Sequence, residues 1–253
     1  MFKRKILSKL EAWKQDERHK PLILRGARQV GKTTVVNEFG SQFDNYLYFN
    51  LEISESVRLF EMDIPLNDLV NMLFASLGKS QKEGSTLIFI DEIQNSPKTI
   101  ALLRYFYEQR PDLYVIAAGS LLENLVDVNV SFPVGRVMYL ALRPCSFYEF
   151  LGAIGKNNLL TILSQKAEYS IAFHEQLMHQ FNQYTIIGGM PEAVQHYAET
   201  QDIIAIEDVY ETLVQAYKDD SEKYARSNKL TDVVRFILSY GWAGSVNRTV
   251  SRL

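Results

Sequence analysis

Apolar residues along the first 143 positions come in two alternating rhythms, and each rhythm predicts a different element. Phe2, Ile6, Leu10 and Trp13 recur at helical spacing among Lys and Glu, so residues 2–16 are expected as an amphipathic helix. Pro21 stops that pattern, and a short apolar run at 22–25 reads as a strand. The aromatic run from Tyr46 to Leu51 predicts a strand buried on both faces. Leu66, Leu69, Val70, Leu73 and Leu77 form the stripe of a helix opened by Pro65. Thr86–Ile90 is the most apolar strand candidate, and Ile100, Leu103, Phe106 and Tyr107 mark the helix after it. Residues 113–118 and 135–142 supply two more strands.

Five strands alternating with helices specify an α/β fold, a doubly wound parallel sheet. After Pro144 the rhythm changes. Residues 147–151, 157–166, 169–184, 191–197 and 203–226 all carry helical patterns, with a turn or hinge at Gly188-Gly189-Met190-Pro191. The expected organisation is a core over 1–143, an all-helical lid over 144–226, and the beginning of a further segment over 227–253, where a helix starts and exposed apolar residues lack a completing partner.

Composition changes this picture little. An apolar fraction of 47% and a charged fraction of 23% are ordinary for a globular chain and exclude disorder as the default. The single cysteine, Cys145, excludes an internal disulfide framework and reads as an apolar filler. The basic start is followed by no apolar signal region, and no run is long enough to span a membrane, so a cytoplasmic protein is expected. Net charge is −3, but residues 1–32 hold ten Lys/Arg against three Asp/Glu. That local excess reads as a solvated basic helix face beside a phosphate site or, less simply, as a nucleic-acid groove.

The chemistry concentrates in Gly26-Ala27-Arg28-Gln29-Val30-Gly31-Lys32-Thr33, with Thr34 opening the helix that follows. The stretch fits G-x-x-x-x-G-K-[ST] and sits between a strand and a helix, as a phosphate-binding loop requires. Glycines let the backbone wrap a polyphosphate, and backbone N–H groups at a helix start favour negative charge. Lys32 is then expected at the β/γ-phosphates, with the Thr33 hydroxyl on Mg²⁺. A second site strengthens the first: the strand at 86–90 ends in Asp91-Glu92, at the strand end where α/β sheets build their sites. Asp91 is a candidate for the metal shell and Glu92 for the general base that polarises water. An acidic cap on the next helix is the alternative for this pair. Ser120, just after the fourth strand, is a candidate sensor of the γ-phosphate or a helix cap. Arg136 is a candidate arginine finger, for its own site or a neighbour's, or a surface residue. An extra strand between the loop strand and the Asp-Glu strand predicts the spatial order 51432.

These segments together resemble a family. The loop Gly-Ala-Arg-Gln-Val-Gly-Lys-Thr, Phe-Ile-Asp-Glu-Ile-Gln at 89–94, Ala-Gly-Ser at 118–120, Leu-Arg-Pro-Cys-Ser-Phe-Tyr-Glu-Phe at 142–150 and Gly-Gly-Met-Pro-Glu at 188–192 resemble a group of prokaryotic AAA-type ATPases, P-loop NTPases whose AAA domain precedes a C-terminal domain of unknown function. The resemblance implies an ATPase core, a helical lid and a winged-helix-like segment, of which 231–253 is expected to be only the beginning. It implies ATP with Mg²⁺, Lys32 and Thr33 at the phosphates and metal, Asp91 and Glu92 at metal and water, and Ser120 in the sensor place; Arg136 matches a Gly-Arg of the group. The expected activity is ATP hydrolysis driving a molecular switch, with a regulatory nucleotide-binding module of low turnover or a DNA-associated ATPase as alternatives. A homo-oligomer or a protein bound through the lid and C-terminus is the expected partner.

Overall fold

The computed structural model describes residues 2–119, 133, 135–165 and 171–224. They fall into two compact units, Met1–Gly152 and Ala153–Leu253. The first holds every strand: β1 Leu22–Arg25, β2 Asn45–Asn50, β3 Thr86–Asp91, β4 Leu113–Gly119 and β5 Met138–Ala141. All neighbouring pairs run parallel in the order β2-β3-β4-β1-β5, which from the opposite edge is the expected 5-1-4-3-2. The helices of this unit are α1 Ile6–Lys14, α2 Lys32–Gly40, α3 Ser54–Phe60, α4 Leu66–Ser76, α5 Pro97–Gln109 and α6 Phe147–Ala153.

Successive strand residues face opposite sides of a sheet, so the continuous apolar runs of β1, β3 and β4 feed two cores at once. Ile23, Ile88, Ile90, Val115 and Ala117 pack on one face with the stripes of α4 and α5. Leu22, Leu24, Leu87, Phe89, Ile116 and Ala118 pack on the other with α1 and α2. All eleven of these strand residues are fully buried. This sandwich fixes the carboxyl ends of β1 and β3 at the same edge of the sheet, on either side of β4.

Three expectations change in detail. The strand at 46–51 was expected to be buried on both faces, but β2 is an edge strand in which buried and half-buried positions alternate. Tyr46 and Tyr48 lie at the half-buried positions, because a tyrosine keeps its hydroxyl near water while burying its ring. The strand expected over 135–142 is shorter, since Gly135 turns at φ +77° before β5 begins. Helix α3 carries no long apolar stripe and buries only Leu59 and Phe60, which is why its seven residues gave no clear helical signal.

The second unit is helical among its described residues: α7 Asn157–Gln165, α8 Ile171–Ile187, α9 Pro191–Thr200 and α10 Glu207–Tyr224, with a short 3-10 turn at Ile204–Ile206. Pro191 starts α9 as expected, where its missing N–H costs nothing. Gly188 turns at φ +75°, and a Cβ there would lie 2.5 Å from the Tyr210 hydroxyl, so the break between α8 and α9 is packed against α10. No helix among the described residues is long and apolar enough to cross a membrane.

Candidate functional site

The loop between β1 and α2 is built by backbone conformations that few side chains favour. Gly31 caps α2 at φ +90°, and Gln29 takes φ +58°, so one of the two left-handed positions is held by a non-glycine residue. Gly26 is required for a different reason: a Cβ there would lie 2.4 Å from the Leu142 carbonyl oxygen. Leu142 is fixed in that place because its N–H donates to the Arg25 carbonyl at 2.7 Å, extending the β1–β5 ladder. The first glycine of the motif therefore serves packing against the exit of β5.

Lys32, at the start of α2, is 7% exposed, and its ammonium donates to the carbonyls of Gly26 and Ala27, both at 2.9 Å. The cation sits within its own loop. Burial holds its pKa below the usual lysine range, opposed by the carboxylates of Glu92 and Asp91 and aided by Arg28. Ala27, Arg28 and Gln29 are exposed, Val30 is buried, and Thr34 is exposed on the first turn of α2.

The Asp-Glu strand end meets this loop directly. Asp91, 3% exposed at the end of β3, accepts from the Thr33 hydroxyl at 2.6 Å across 58 residues of sequence. Its other oxygen accepts the Glu92 N–H at 3.0 Å. Glu92 adopts a left-handed conformation at φ +52°, an uncommon state for a residue with a Cβ, and its carboxylate accepts from the Gln94 side-chain amide. Burial raises the Glu92 pKa above the ordinary glutamate value; the Gln94 hydrogen bond opposes the rise, Asp91 adds to it, Lys32 opposes it and Glu52 adds to it. The alternative reading of the acidic pair as a helix cap fails, because Ser96 caps α5 by accepting the Thr99 N–H.

The structure thus brings together Lys32, Thr33, Asp91 and Glu92 at one sheet edge. It does not bring Arg136 there. Arg136 precedes β5, at the opposite end of the sheet, and its guanidinium faces Glu108 at 3.4 Å. Its neighbour Gly135 accepts from the Lys20 ammonium at 2.7 Å, ahead of β1. Within one chain it supplies no charge to the loop. Ser120 lies outside the described residues. Cys145 is buried, and burial pushes its thiol up to about 11, offset in part by Arg4, so it is not a thiolate at neutral pH.

Three residues of this region gave no functional signal in the sequence. Gln94 holds Glu92 through its amide nitrogen, and its amide oxygen is buried without a hydrogen-bond partner. Arg4 and Glu149 form a buried ion pair at 3.0 Å, and Arg4 also reaches the Val30 carbonyl inside the loop. Arg4 stood within a basic cluster that reads as a solvated face; the available clue was Glu149, a lone carboxylate among Phe147, Tyr148, Phe150 and Leu151. A cleft of about 590 Å³ opens beside the loop, lined by Arg25, Gly26, Ala27, Gly119, Tyr139 and Leu142 among others, a size suited to a small ligand.

The hard oxygens of Thr33 and Asp91 suit Mg²⁺, which is commonly held by one or two protein oxygens together with phosphate and water. Among the described residues no group of three or more His, Cys, Asp or Glu forms a metal cage. The Thr33–Asp91 pair fits an ion completed by its ligand.

Over the length of the chain, the solved structure of the Walker-type ATPase PABY2304 of Pyrococcus abyssi is similar at a TM-score of 0.54 and 18% identity, with 90% of this chain and 77% of that chain covered. At that identity the likeness concerns the fold. Caenorhabditis elegans PCH-2 (TM-score 0.43, 12% identity, 79% of this chain and 63% of that chain) and the Drosophila ORC bound to DNA (0.43, 13%, 92% and 65%) are more distant. No curated protein matches the sequence. Residues 178–244 match the model of a domain of unknown function, a match that runs through the segment expected as a lid and across the boundary expected at 226. Residues 18–151, more than half of the chain and all five strands, match the model of an AAA domain, and the protein therefore belongs to that family of nucleotide-binding P-loop ATPases.

Proposed function

We propose that this protein is a Mg²⁺-dependent ATP hydrolase that works as a molecular switch. The observation that carries the reading is the 2.6 Å contact between Thr33 and Asp91, which joins the phosphate loop to the acidic strand end and leaves Glu92 beside them. In this reading the backbone of Gly26 to Thr34 wraps the phosphates, and the Lys32 ammonium exchanges the carbonyls of Gly26 and Ala27 for β- and γ-phosphate oxygens. Thr33 and Asp91 hold Mg²⁺. The ion, when bound, offsets the charge that develops on the transferring phosphoryl group. Glu92 takes the proton of the attacking water, for which its raised pKa suits it, and Gln94 sets the direction of that carboxylate. Ser120 is the proposed γ-phosphate sensor. The helical second unit is the proposed lid and relay, with adenine preference following from the family.

Purified protein with Mg·ATP should release phosphate, and Glu92→Gln should lower the rate by about a hundredfold or more while leaving ATP bound. Equal slow release by wild type and Glu92→Gln would remove hydrolysis from the account. A second reading, a nucleotide-binding regulatory module with little turnover, is favoured by the position of Arg136, which is paired with Glu108 away from the loop. A finger role for Arg136 then requires a second copy of the chain. Light scattering with and without ATP separates the two: assembly on ATP supports a finger supplied between copies, and a nucleotide-independent monomer supports the module.

A further inference from the structure

Arg4 is a buried arginine, 6% exposed, whose three guanidinium nitrogens are each committed to a different segment of the fold. Nε donates to Glu149 Oε1 at 3.0 Å, Nη1 to the Val30 carbonyl at 3.1 Å, and Nη2 to the Arg143 carbonyl at 2.6 Å. Glu149 is satisfied in turn: Oε1 also accepts the Lys5 N–H, while Oε2 accepts the N–H and hydroxyl of Ser146. Burial works against its charge, but the hydrogen bonds from Ser146, Lys5 and Arg4 prevail and hold its carboxyl below the usual glutamate range. A buried pair so fully bonded is a rigid anchor.

What the anchor holds is the peptide between Val30 and Gly31, the turn into Gly31-Lys32-Thr33 at the end of the loop motif. In a trans peptide the carbonyl and the following N–H point in opposite directions, and the chain has no cis peptide among its described residues. With the Val30 carbonyl drawn to Arg4, the Gly31 N–H is turned away from it. We infer that Arg4 is a positioning residue for nucleotide binding: it presets the Val30–Gly31 peptide so that the Gly31 N–H faces a bound phosphate, and Glu149 holds Arg4 in register. This deepens the proposed function and rests on it. A lysine in place of Arg4 keeps the charge opposite Glu149 but lacks the planar fork that meets three acceptors at once.

The test is titration of the full chain with fluorescently labelled ADP, at a temperature well below each variant's unfolding midpoint. Variants are Arg4→Lys, the double variant Arg4→Met/Glu149→Met, which removes both buried charges so that neither is left unpaired, and Lys32→Ala as a control. The expected result is a Kd raised by about tenfold or more in both Arg4 variants, the loss of one charged hydrogen bond at the loop, with the variants still unfolding cooperatively. A Kd equal to wild type in a folded Arg4 variant, with Lys32→Ala still defective, overturns the positioning role and spares the site. No ADP binding by the wild type overturns the site and the inference together.

Discussion

At the scale of single residues, the loop and the acidic strand end depend on contacts that leave little slack. Gly26 is the sharpest case, because the Leu142 oxygen occupies the space beside its Cα. Gly26→Ala should force the loop and the exit of β5 apart, costing about 1–3 kcal/mol. Calorimetry and an ADP titration together check this: both the unfolding temperature and the affinity should fall, and an unchanged affinity would show that the loop absorbs the methyl group elsewhere. The motif residues were legible in the sequence because their chemistry depends on local spacing; in the fold Lys32 opens α2 and the Thr33 hydroxyl meets Asp91. Arg136 was not. Its position depends on where β5 starts relative to β1, and a turn at Gly135 puts it beside Glu108 at the far end of the sheet. Gln94 was equally hidden, since only the left-handed turn at Glu92 brings it under that carboxylate.

At the scale of elements, β1, β3 and α2 place the site, and the segment from Arg143 to α6 braces it through Glu149. A carboxyl whose pKa is lowered by folding stabilises the protein above its unfolded value and loses that contribution as pH falls through the folded value. Glu149 is such a group, so the stability difference between wild type and Glu149→Gln should be largest at neutral pH. It should shrink as pH drops from the ordinary glutamate pKa of about 4.3 through the lower folded value, below which Glu149 is as neutral as the glutamine. Urea midpoints across that range measure it; a difference independent of pH would mean that the charge of Glu149 contributes nothing. The central strands were readable because β1, β3 and β4 are apolar apart from their end residues, whereas the edge strand β2 alternates and the aromatic run disguised this. The Arg4–Glu149 brace spans 145 residues, and no local pattern encodes a contact of that range.

At the scale of the whole molecule, the phosphate loop and the acidic pair all belong to the unit Met1–Gly152. A ligand that binds only folded protein raises its stability by mass action, by about 2.7 kcal/mol at a hundred times its Kd. Saturating ADP with Mg²⁺ should therefore raise the unfolding temperature of this unit, and Lys32→Ala should abolish the rise; a shift that survives the substitution would place the nucleotide elsewhere. A change of rhythm is visible in the sequence near Pro144, because helices and strands leave different periods, whereas the two units divide between Gly152 and Ala153. The central claim is that the loop binds ATP and the acidic pair splits it. It is tested most directly by incubating wild type, Glu92→Gln and Lys32→Ala with Mg·ATP, separating protein from free nucleotide and identifying what stays bound. The account predicts ADP on the wild type, intact ATP on Glu92→Gln and neither on Lys32→Ala; intact ATP on wild type and Glu92→Gln alike would contradict it.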